Sequence, residues 1–330
     1  MTVSPVSPTI PLDAKGAHHG FLRLPHSRDD SAWGSVMIPI SVISGGQGPT
    51  ALLTGGNHGD EYEGPIALQD LASTLDPAMI NGRVIILPMM NLPAFSVGRR
   101  CSPIDGGNMN RSFPSRPDGT VTQKIAHFIA TELVPMADIV LDYHSGGRTL
   151  DFLPFAAAHI LPDKGQEAKC VAAMKAFDAP YSMQMLEIDN VGMFDTEVES
   201  QGKVFVTTEL GGGGTSTAAS VAVARKGARN LLIHAGILEG APETAGSVML
   251  DMPDARCFVF SEHPGLLEPM VDLGTTVEEG QPIARLWPAD RSGAPPRQLC
   301  ARLSGLLTAR HFPGLVAMGD CVGVIAQPRA

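Results

Sequence analysis

Two short polar tracts carry the residue types that hold a catalytic metal ion. The tract GGNHGDEYEG (55–64) contains His58 and Glu61, and the tract LDYHSGG (141–147) contains His144. Both tracts follow apolar segments that predict strands, and their glycines permit tight turns. Two imidazoles and one carboxylate leave a zinc ion with an open coordination position, where a hydrolase can hold an attacking water. We therefore predict one Zn²⁺ per subunit at these three residues.

A third tract, TTELGGGG (207–214), offers the acid and base that metal-assisted amide hydrolysis needs. Glu209 follows an apolar strand and precedes four glycines, which cannot pack a core. One carboxylate can take a proton from water and later return it to the leaving amine. The structural alternative is that Glu209 only caps the helix that follows.

The loop GRRCSPIDGGNMNRSFP (98–114) offers groups that could bind a substrate. Arg111 has the forked geometry that suits a carboxylate, and Asn110 beside it adds an amide donor. Arg100 or Arg99 could point at a carbonyl oxygen on which negative charge develops. The structural alternative for each arginine is an ordinary surface ion pair.

Asp142 lies two residues before His144 on the same predicted strand. Metal-binding imidazoles commonly donate their second ring N–H to a carboxylate, so Asp142 could orient His144. Alternatively, Asp142 only accepts hydrogen bonds from backbone amides at the strand end.

The elements around these tracts predict an α/β fold. Apolar runs that predict strands alternate with segments of helical periodicity up to about residue 240. The predicted strands are 34–46, 49–56, 81–91, 137–147 and 203–214, and the predicted helices are 65–75, 122–137, 167–178 and 220–238. This alternation favours a mixed, mostly parallel central sheet flanked by helices, with ligands beyond the carboxyl ends of the strands.

A change in the type and spacing of the predicted elements along the chain indicates two domains. Residues 1–245 would form the catalytic domain, with a proline-rich N-terminal arm over 1–20, and residues 246–330 a smaller all-β domain of short strands broken by Gly and Pro. The later part has turns like those of a lipoyl- or biotinyl-type carrier, so a non-catalytic binding or carrier protein is the alternative of another class. The comparable turn LVAMGD (315–320) lacks the lysine that a carrier needs.

Composition narrows the possible partners and setting. The net charge is −10 with no block of basic residues, which argues against nucleic acid or an anionic membrane as a partner. The apolar stretches are too short to span a bilayer, and the N-terminus does not resemble a signal peptide. The five cysteines are scattered without a C-x-x-C pair, as in a cytoplasmic protein. We expect a cytoplasmic homo-oligomer, with a dimer favoured, acting on a small molecule.

Together, the tracts resemble the zinc-dependent succinylglutamate desuccinylase/aspartoacylase family, relatives of the metallocarboxypeptidases. GGNHGDEYEG, GNMNRSFP, LDYH and TEL follow in the family's order over about residues 50–240. The resemblance implies a zinc carboxypeptidase-like fold and hydrolysis of an N-acyl amino acid. By position, it makes His58, Glu61 and His144 the zinc ligands and Glu209 the general base and acid. It assigns carboxylate binding to Asn110 and Arg111, and carbonyl polarisation to Arg100, with Arg99 adjacent.

Within the family, the tracts are most similar to those of members that deacetylate Nα-acetyl-L-2,4-diaminobutyrate in ectoine degradation. Rival substrates are succinylglutamate and acetylaspartate, whose additional carboxylate would require another basic residue in the pocket. The side-chain ammonium of the favoured substrate would require an acidic partner instead. Candidates for that partner lie in LEIDNVGMFDTEVES, and the alternative for each is a solvated loop position: Asp189, Asp195, Glu197 and Glu199.

Overall fold

A computed structural model describes residues 4–186 and 188–329 of the chain. The strands are β1 (Ser7–Pro8), β2 (Gly16–Pro25), β3 (Ser35–Ser44), β4 (Thr50–Thr54), β5 (Arg83–Leu87), β6 (Ile139–His144), β7 (Leu150–Phe152), β8 (Phe155–His159), β9 (Tyr181–Met185), β10 (Val204–Glu209), β11 (Val248–Asp251), β12 (Phe258–Phe260), β13 (Gly265–Pro269), β14 (Thr276–Val277), β15 (Pro282–Trp287), β16 (Arg297–Cys300), β17 (Gly305–His311), β18 (Leu315–Val316) and β19 (Cys321–Pro328).

The helices are α1 (Glu63–Thr74), α2 (Leu92–Phe95), α3 (Val121–Phe128), α4 (Val134–Met136), α5 (Lys164–Phe177), α6 (Phe194–Ser200) and α7 (Ala218–His234). A π-helical turn (Ile129–Leu133) joins α3 to α4, so the predicted helix at 122–137 is present as one continuous helical segment. Short 3₁₀ turns occur at Pro77–Met79, Met109–Arg111 and Ala255–Cys257.

Three parallel neighbours, β4, β6 and β10, form the part of the large sheet that positions the candidate site. Their carboxyl ends therefore meet at one edge. At that edge Glu209 pairs in register with His144, and Thr54 pairs with Asp142. Because β8 runs antiparallel to β10, the carboxyl end of β8 lies at the opposite edge.

Both faces of this sheet are buried, which explains why its strands are almost continuously apolar. Alternate residues of the three strands enter different cores. On one face Leu53, Leu141 and Val206 pack with α1, α5 and α7. On the other face Leu52, Val140 and Phe205 pack with α3 and with the β2–β3 hairpin. The mixed α/β fold class predicted from the sequence is confirmed.

Part of the N-terminal segment predicted as a proline-rich arm packs within the chain itself. Val6 is buried in the core, Ser7–Pro8 pairs with β2, and residues 16–20 already belong to β2. Strand β2 pairs along its whole length with β3. The β2 sequence GAHHGFLRLP lacks a clear apolar run because only part of this edge hairpin faces a core.

Beyond residue 246 the chain forms strands β11–β19 and one 3₁₀ turn, as the Gly and Pro punctuation predicts. Strands β13, β15, β16 and β18 form a separate antiparallel sheet. Strand β17 reaches back to pair with β7, in the segment that follows His144. Within the described ranges, none of the helices has the length and apolar character needed to cross a bilayer.

The packing of α1 against β6 leads to a stability prediction. A Cβ at Gly64 would lie 2.2 Å from the Cβ of Tyr143, and the Tyr143 hydroxyl donates to the carbonyl of Ala224 at 2.6 Å. We expect Gly64→Ala to lower the free energy of unfolding by about 1–3 kcal/mol through overpacking. Urea denaturation measures this. Gly46→Ala, where a Cβ meets nothing within 4 Å, is the control; equal stability of the two variants would contradict the packing argument.

Candidate metal centre and active site

Three predicted metal ligands meet at the carboxyl edge of the sheet. His58 and Glu61 lie in the loop between β4 and α1, and His144 is the last residue of β6. One potential ligand atom from each lies within 4.8 Å of the others. The Glu61 carboxylate sits between the imidazoles, with Oε1 2.7 Å from His58 Nδ1 and Oε2 3.0 Å from His144 Nδ1. These residues could hold a metal ion.

The hydrogen bonds made by the Nε2 atoms of the two imidazoles are consistent with metal binding at their Nδ1 atoms. His144 Nε2 donates to Asp142 Oδ2 at 2.9 Å, and His58 Nε2 donates to Asn108 Oδ1 at 3.2 Å. When such an imidazole is neutral, donation from Nε2 leaves Nδ1 unprotonated, and this is the form that coordinates a metal. Both Nδ1 atoms face Glu61, so the donor set suits a divalent cation with nitrogen and oxygen ligands.

The orienting contact considered for Asp142 is therefore present, and it is itself well supported. Thr54 Oγ1 donates to Asp142 Oδ1 at 2.6 Å, and Asn57 Nδ2 donates to Oδ2 at 3.0 Å. Asn57 and Asn108 are supporting residues that the sequence patterns do not single out. The position of Asn108, two residues before Asn110 in the same polar loop, is the signal that could have drawn attention to it.

Electrostatics of the cluster favour bound positive charge. Burial alone would raise the pKa of Glu61, but the charges of His58 and His144 and their hydrogen bonds hold that pKa well below its usual range. Burial opposes protonation of His144 too, yet Asp142 and Glu61 raise the pKa of His144 well above its usual value. Burial lowers the pKa of His58. In the metal-free protein, His144 therefore supplies the cation that two buried carboxylates require.

Glu209 lies beside the cluster, at the end of β10 and in register with His144. Its Oε2 is buried, with no hydrogen-bond partner among the described residues. Burial, with a further contribution from the Glu61 charge, raises the pKa of Glu209 to about 8. Helix α7 is capped by Thr217, whose side chain accepts from the Ser220 amide. Glu209 is thus not the helix cap that the sequence left as an alternative.

Of the two adjacent arginines, Arg100 reaches the cluster. Its Nη1 lies 3.2 Å from His58 Nδ1 and 3.6 Å from Glu61 Oε1, and its side chain is partly exposed. Arg99 contributes through its backbone instead, since its carbonyl accepts from the amide of Gly59 at 2.9 Å. The structure therefore distinguishes two positions that the sequence left open.

Asn110 and Arg111 lie in the 3₁₀ turn that follows Asn108. Asn110 is buried, and its Oδ1 accepts from the backbone amide of Phe194 at 2.9 Å. Arg111 is exposed, and its Nη1 donates to the carbonyl of Asn110 at 2.6 Å. The Asn110 side-chain oxygen is thus used to anchor the loop. Its amide nitrogen and the Arg111 guanidinium are the groups of this pair that can donate to a ligand.

The acidic residues considered for a substrate ammonium make contacts outside the ligand cluster. Glu199 Oε1 lies 2.9 Å from the Nδ1 of His159, and Asp195 Oδ2 lies 4.0 Å from its Nε2. His159 ends β8, at the sheet edge opposite Glu209. The Glu197 side chain accepts from Gln201, and exposed Asp189 accepts from the Val191 amide. Assignment of any of them to the ammonium stays a prediction.

Comparison with known proteins places this site in a family. Residues 47–235 match the model of the succinylglutamate desuccinylase/aspartoacylase catalytic domain. The chain belongs to the succinylglutamate desuccinylase/aspartoacylase family. The resemblance predicted from the sequence is thereby confirmed, over the region that carries His58, Glu61, Asn110, His144 and Glu209.

Relatives of this family member match along nearly its whole length. It is 56% identical over 326 residues to the N-alpha-acetyl-L-2,4-diaminobutyric acid deacetylase of Halomonas elongata, covering 98% of this chain and 95% of that relative. A product-bound structure of the ectoine utilization protein EutE (DoeB) from Ruegeria pomeroyi has 63% identity and a TM-score of 0.98, covering 99% of this chain and 100% of that chain.

A more distant relative preserves the same fold. The structure of a succinylglutamate desuccinylase/aspartoacylase from Rhodobacter sphaeroides has 39% identity and a TM-score of 0.94, and covers 99% of this chain and 100% of that chain. The architecture of the family therefore extends through the β-rich C-terminal part of this protein.

The raised pKa of Glu209 predicts a pH dependence of stability in the metal-free protein. Between pH 4.5, the ordinary pKa of a glutamate, and about pH 8, the folded protein keeps a proton on Glu209 that the unfolded chain has released. The free energy of unfolding should therefore fall as pH rises through this interval, by at most about 1.4 kcal/mol per pH unit from this group. Glu209→Gln cannot ionise and should show a smaller decline.

Urea unfolding of both metal-free proteins at several pH values from about 5.5 to about 8 measures the difference. The other titrating groups of the cluster are common to both proteins, so the difference reports Glu209 together with its electrostatic coupling to Glu61 and His144. Parallel pH profiles for the two proteins would show that Glu209 is already ionised in the folded state.

Proposed function

We propose that this chain is a zinc-dependent amidohydrolase that deacetylates Nα-acetyl-L-2,4-diaminobutyrate, releasing acetate and L-2,4-diaminobutyrate in ectoine degradation. The observation that carries the proposal is the cluster of His58, Glu61 and His144, with the carboxylate of Glu209, whose Oε2 is buried, beside it. High identity to a deacetylase of this substrate supports the choice of acyl group and amino acid.

The site contains the donors that zinc requires. His58 and His144 would each contribute Nδ1, and Glu61 a carboxylate oxygen, while Asn108 and Asp142 hold the rings by their Nε2 atoms. Zinc bound there would supply Lewis-acid polarisation of the attacking water and of the acetyl carbonyl. Three protein ligands are typical of catalytic rather than structural zinc sites.

Glu209 is proposed to transfer a proton from the attacking water to the leaving amine. Its carboxylate takes a proton from the water whose oxygen attacks the acetyl carbonyl carbon. When the carbon–nitrogen bond breaks, Glu209 gives that proton to the departing α-amine. A pKa raised by burial suits the second step, because the protonated acid persists near neutral pH. A nearby cation would favour the ionised form that the first step needs.

Three further residues are proposed to position the substrate. Arg100 already reaches the ligand atoms, so its guanidinium can stabilise negative charge that develops on the carbonyl oxygen. Arg111 would bind the substrate carboxylate through its forked donors, and Asn110 would add one amide donor. The buried Asn110 side chain, anchored on Phe194, keeps the exposed Arg111 on a fixed turn.

The division of roles predicts opposite effects of two substitutions. Glu209→Gln should retain stoichiometric zinc and lose at least about 100-fold in kcat, because the proton acceptor is gone. His144→Ala should lower zinc content itself, because one of three ligands is lost. Metal analysis and acetate release measure both properties on the same preparations. Turnover near wild type in the first variant, or full zinc occupancy in the second, would contradict the assigned roles.

Substrate choice is tested by measuring acetate release from Nα-acetyl amino acids with cationic, neutral and anionic side chains. We expect kcat/KM to be highest for the 2,4-diaminobutyrate derivative. Preference for acetylaspartate, or cleavage of succinylglutamate instead, would overturn the proposed substrate in favour of those deacylases. A wild-type protein with no stoichiometric metal and no deacylase activity would support the non-catalytic carrier alternative.

A further inference from the structure

Asp60 is a buried carboxylate next to the ligand Glu61 to which the proposed mechanism gives no role. Only 4% of the residue is exposed. Its Oδ2 accepts the backbone amide of Arg148 at 2.9 Å, and its Oδ1 has no hydrogen-bond partner among the described residues. Burying a carboxylate with an unpaired oxygen is unfavourable in free energy, so such a residue indicates a specific role in the surrounding site.

The Asp60 contact joins the two chain segments that supply the metal ligands. Asp60 belongs to the loop between β4 and α1, together with His58 and Glu61, whereas Arg148 follows His144 by four residues. The segments are otherwise 88 positions apart in sequence. The hydrogen bond therefore limits how far the His58–Glu61 loop can move from the end of β6.

Gly147 lets the two segments approach this closely. A Cβ at this position would lie 2.7 Å from Asp60 Oδ2, and its φ of +52° is one that other residues rarely adopt. The backbone at 147–148 thus lies directly against the carboxylate. Gly147, the second glycine after Ser145, serves this contact as well as the turn.

A second hydrogen bond runs parallel to the first but uses a ligand atom. The Ser145 amide donates to Glu61 Oε2 at 3.2 Å, and the same oxygen lies 3.0 Å from His144 Nδ1. A cation bound at the cluster could use that same oxygen, so the Ser145 contact is not independent of the metal. The Asp60–Arg148 bond involves no ligand atom, so it can hold the segments together in the metal-free and the metal-bound protein alike.

We propose that Asp60 is a positioning residue for the metal site, acting through the backbone amide of Arg148 to fix His144 relative to His58 and Glu61. The inference rests on the proposed function, because it assumes that these three residues bind the metal. It extends that function to a residue outside the ligand set.

The test is the zinc affinity of the full-length protein, measured by competition with a chromophoric chelator. Asp60→Ala should bind zinc about 10-fold more weakly or worse, in the range seen when groups that orient ligands are lost. Asp60→Asn keeps an oxygen that can accept from Arg148 and should bind close to wild type. Asp70→Ala on α1, which removes a half-exposed carboxylate paired with Arg225, is the matched control.

Thermal unfolding and steady-state kinetics at saturating zinc separate positioning from folding. We expect Asp60→Ala to regain most of its kcat when zinc is saturating, with KM little changed. A lower melting temperature with unchanged zinc affinity would overturn the proposal, since Asp60 would then serve only the fold. Equal weakening in the Asn and Ala variants would also overturn it, because the acceptor oxygen would not matter.

Failure of this inference and failure of the proposed function give different results. A wild-type protein that binds no zinc overturns both. A wild-type protein that binds zinc, with Asp60→Ala binding it as tightly, overturns only the role of Asp60. If Asp60→Ala does not fold, Asp60→Ser is the milder substitution, because it removes the carboxylate but keeps a polar side chain. The same measurements of zinc affinity and melting temperature then test the proposal.

Discussion

The Glu61 carboxylate is buried between two imidazoles, and the rest of the site depends on how its charge is compensated. A buried anion is costly unless a cation lies against it. In the metal-free protein His144 supplies that cation, with its pKa raised by Asp142 and Glu61. Burial, together with the Glu61 charge, raises the pKa of neighbouring Glu209 to about 8. A divalent ion would supply the missing positive charge for the whole cluster.

That cluster exists because β4, β6 and β10 are parallel neighbours. Parallel strands bring their carboxyl ends to one edge, and register then decides which side chains face each other. Glu209 stands beside His144 because their strands pair without offset, and Asp142 reaches Thr54 for the same reason. Cores on both sheet faces hold this register, so the metal site draws its rigidity from packing that is remote from the chemistry.

Sequence patterns were sufficient for elements that are strongly apolar or clearly periodic. The buried strands and the longer helices lie close to their predicted positions, because a strand covered on both faces and an amphipathic helix leave strong local signals. The N-terminal segment was predicted only as a proline-rich arm. Burial of Val6 and pairing with β2 are long-range effects that no local pattern records. Strand β2 itself, next to the short edge strand β1, has only a partial apolar alternation.

The sequence by itself determined which chemical groups are available: imidazoles and carboxylates after apolar strands, flanked by glycines, and an arginine pair within a polar loop. Residue type and chain order suffice for that. Only the tertiary structure decided which atoms meet. It brings Arg100 rather than Arg99 to the cluster, uses Asn108 to hold His58, and places Glu199 with His159 at the opposite edge. Such contacts join residues tens of positions apart, and their geometry follows from strand register and helix packing.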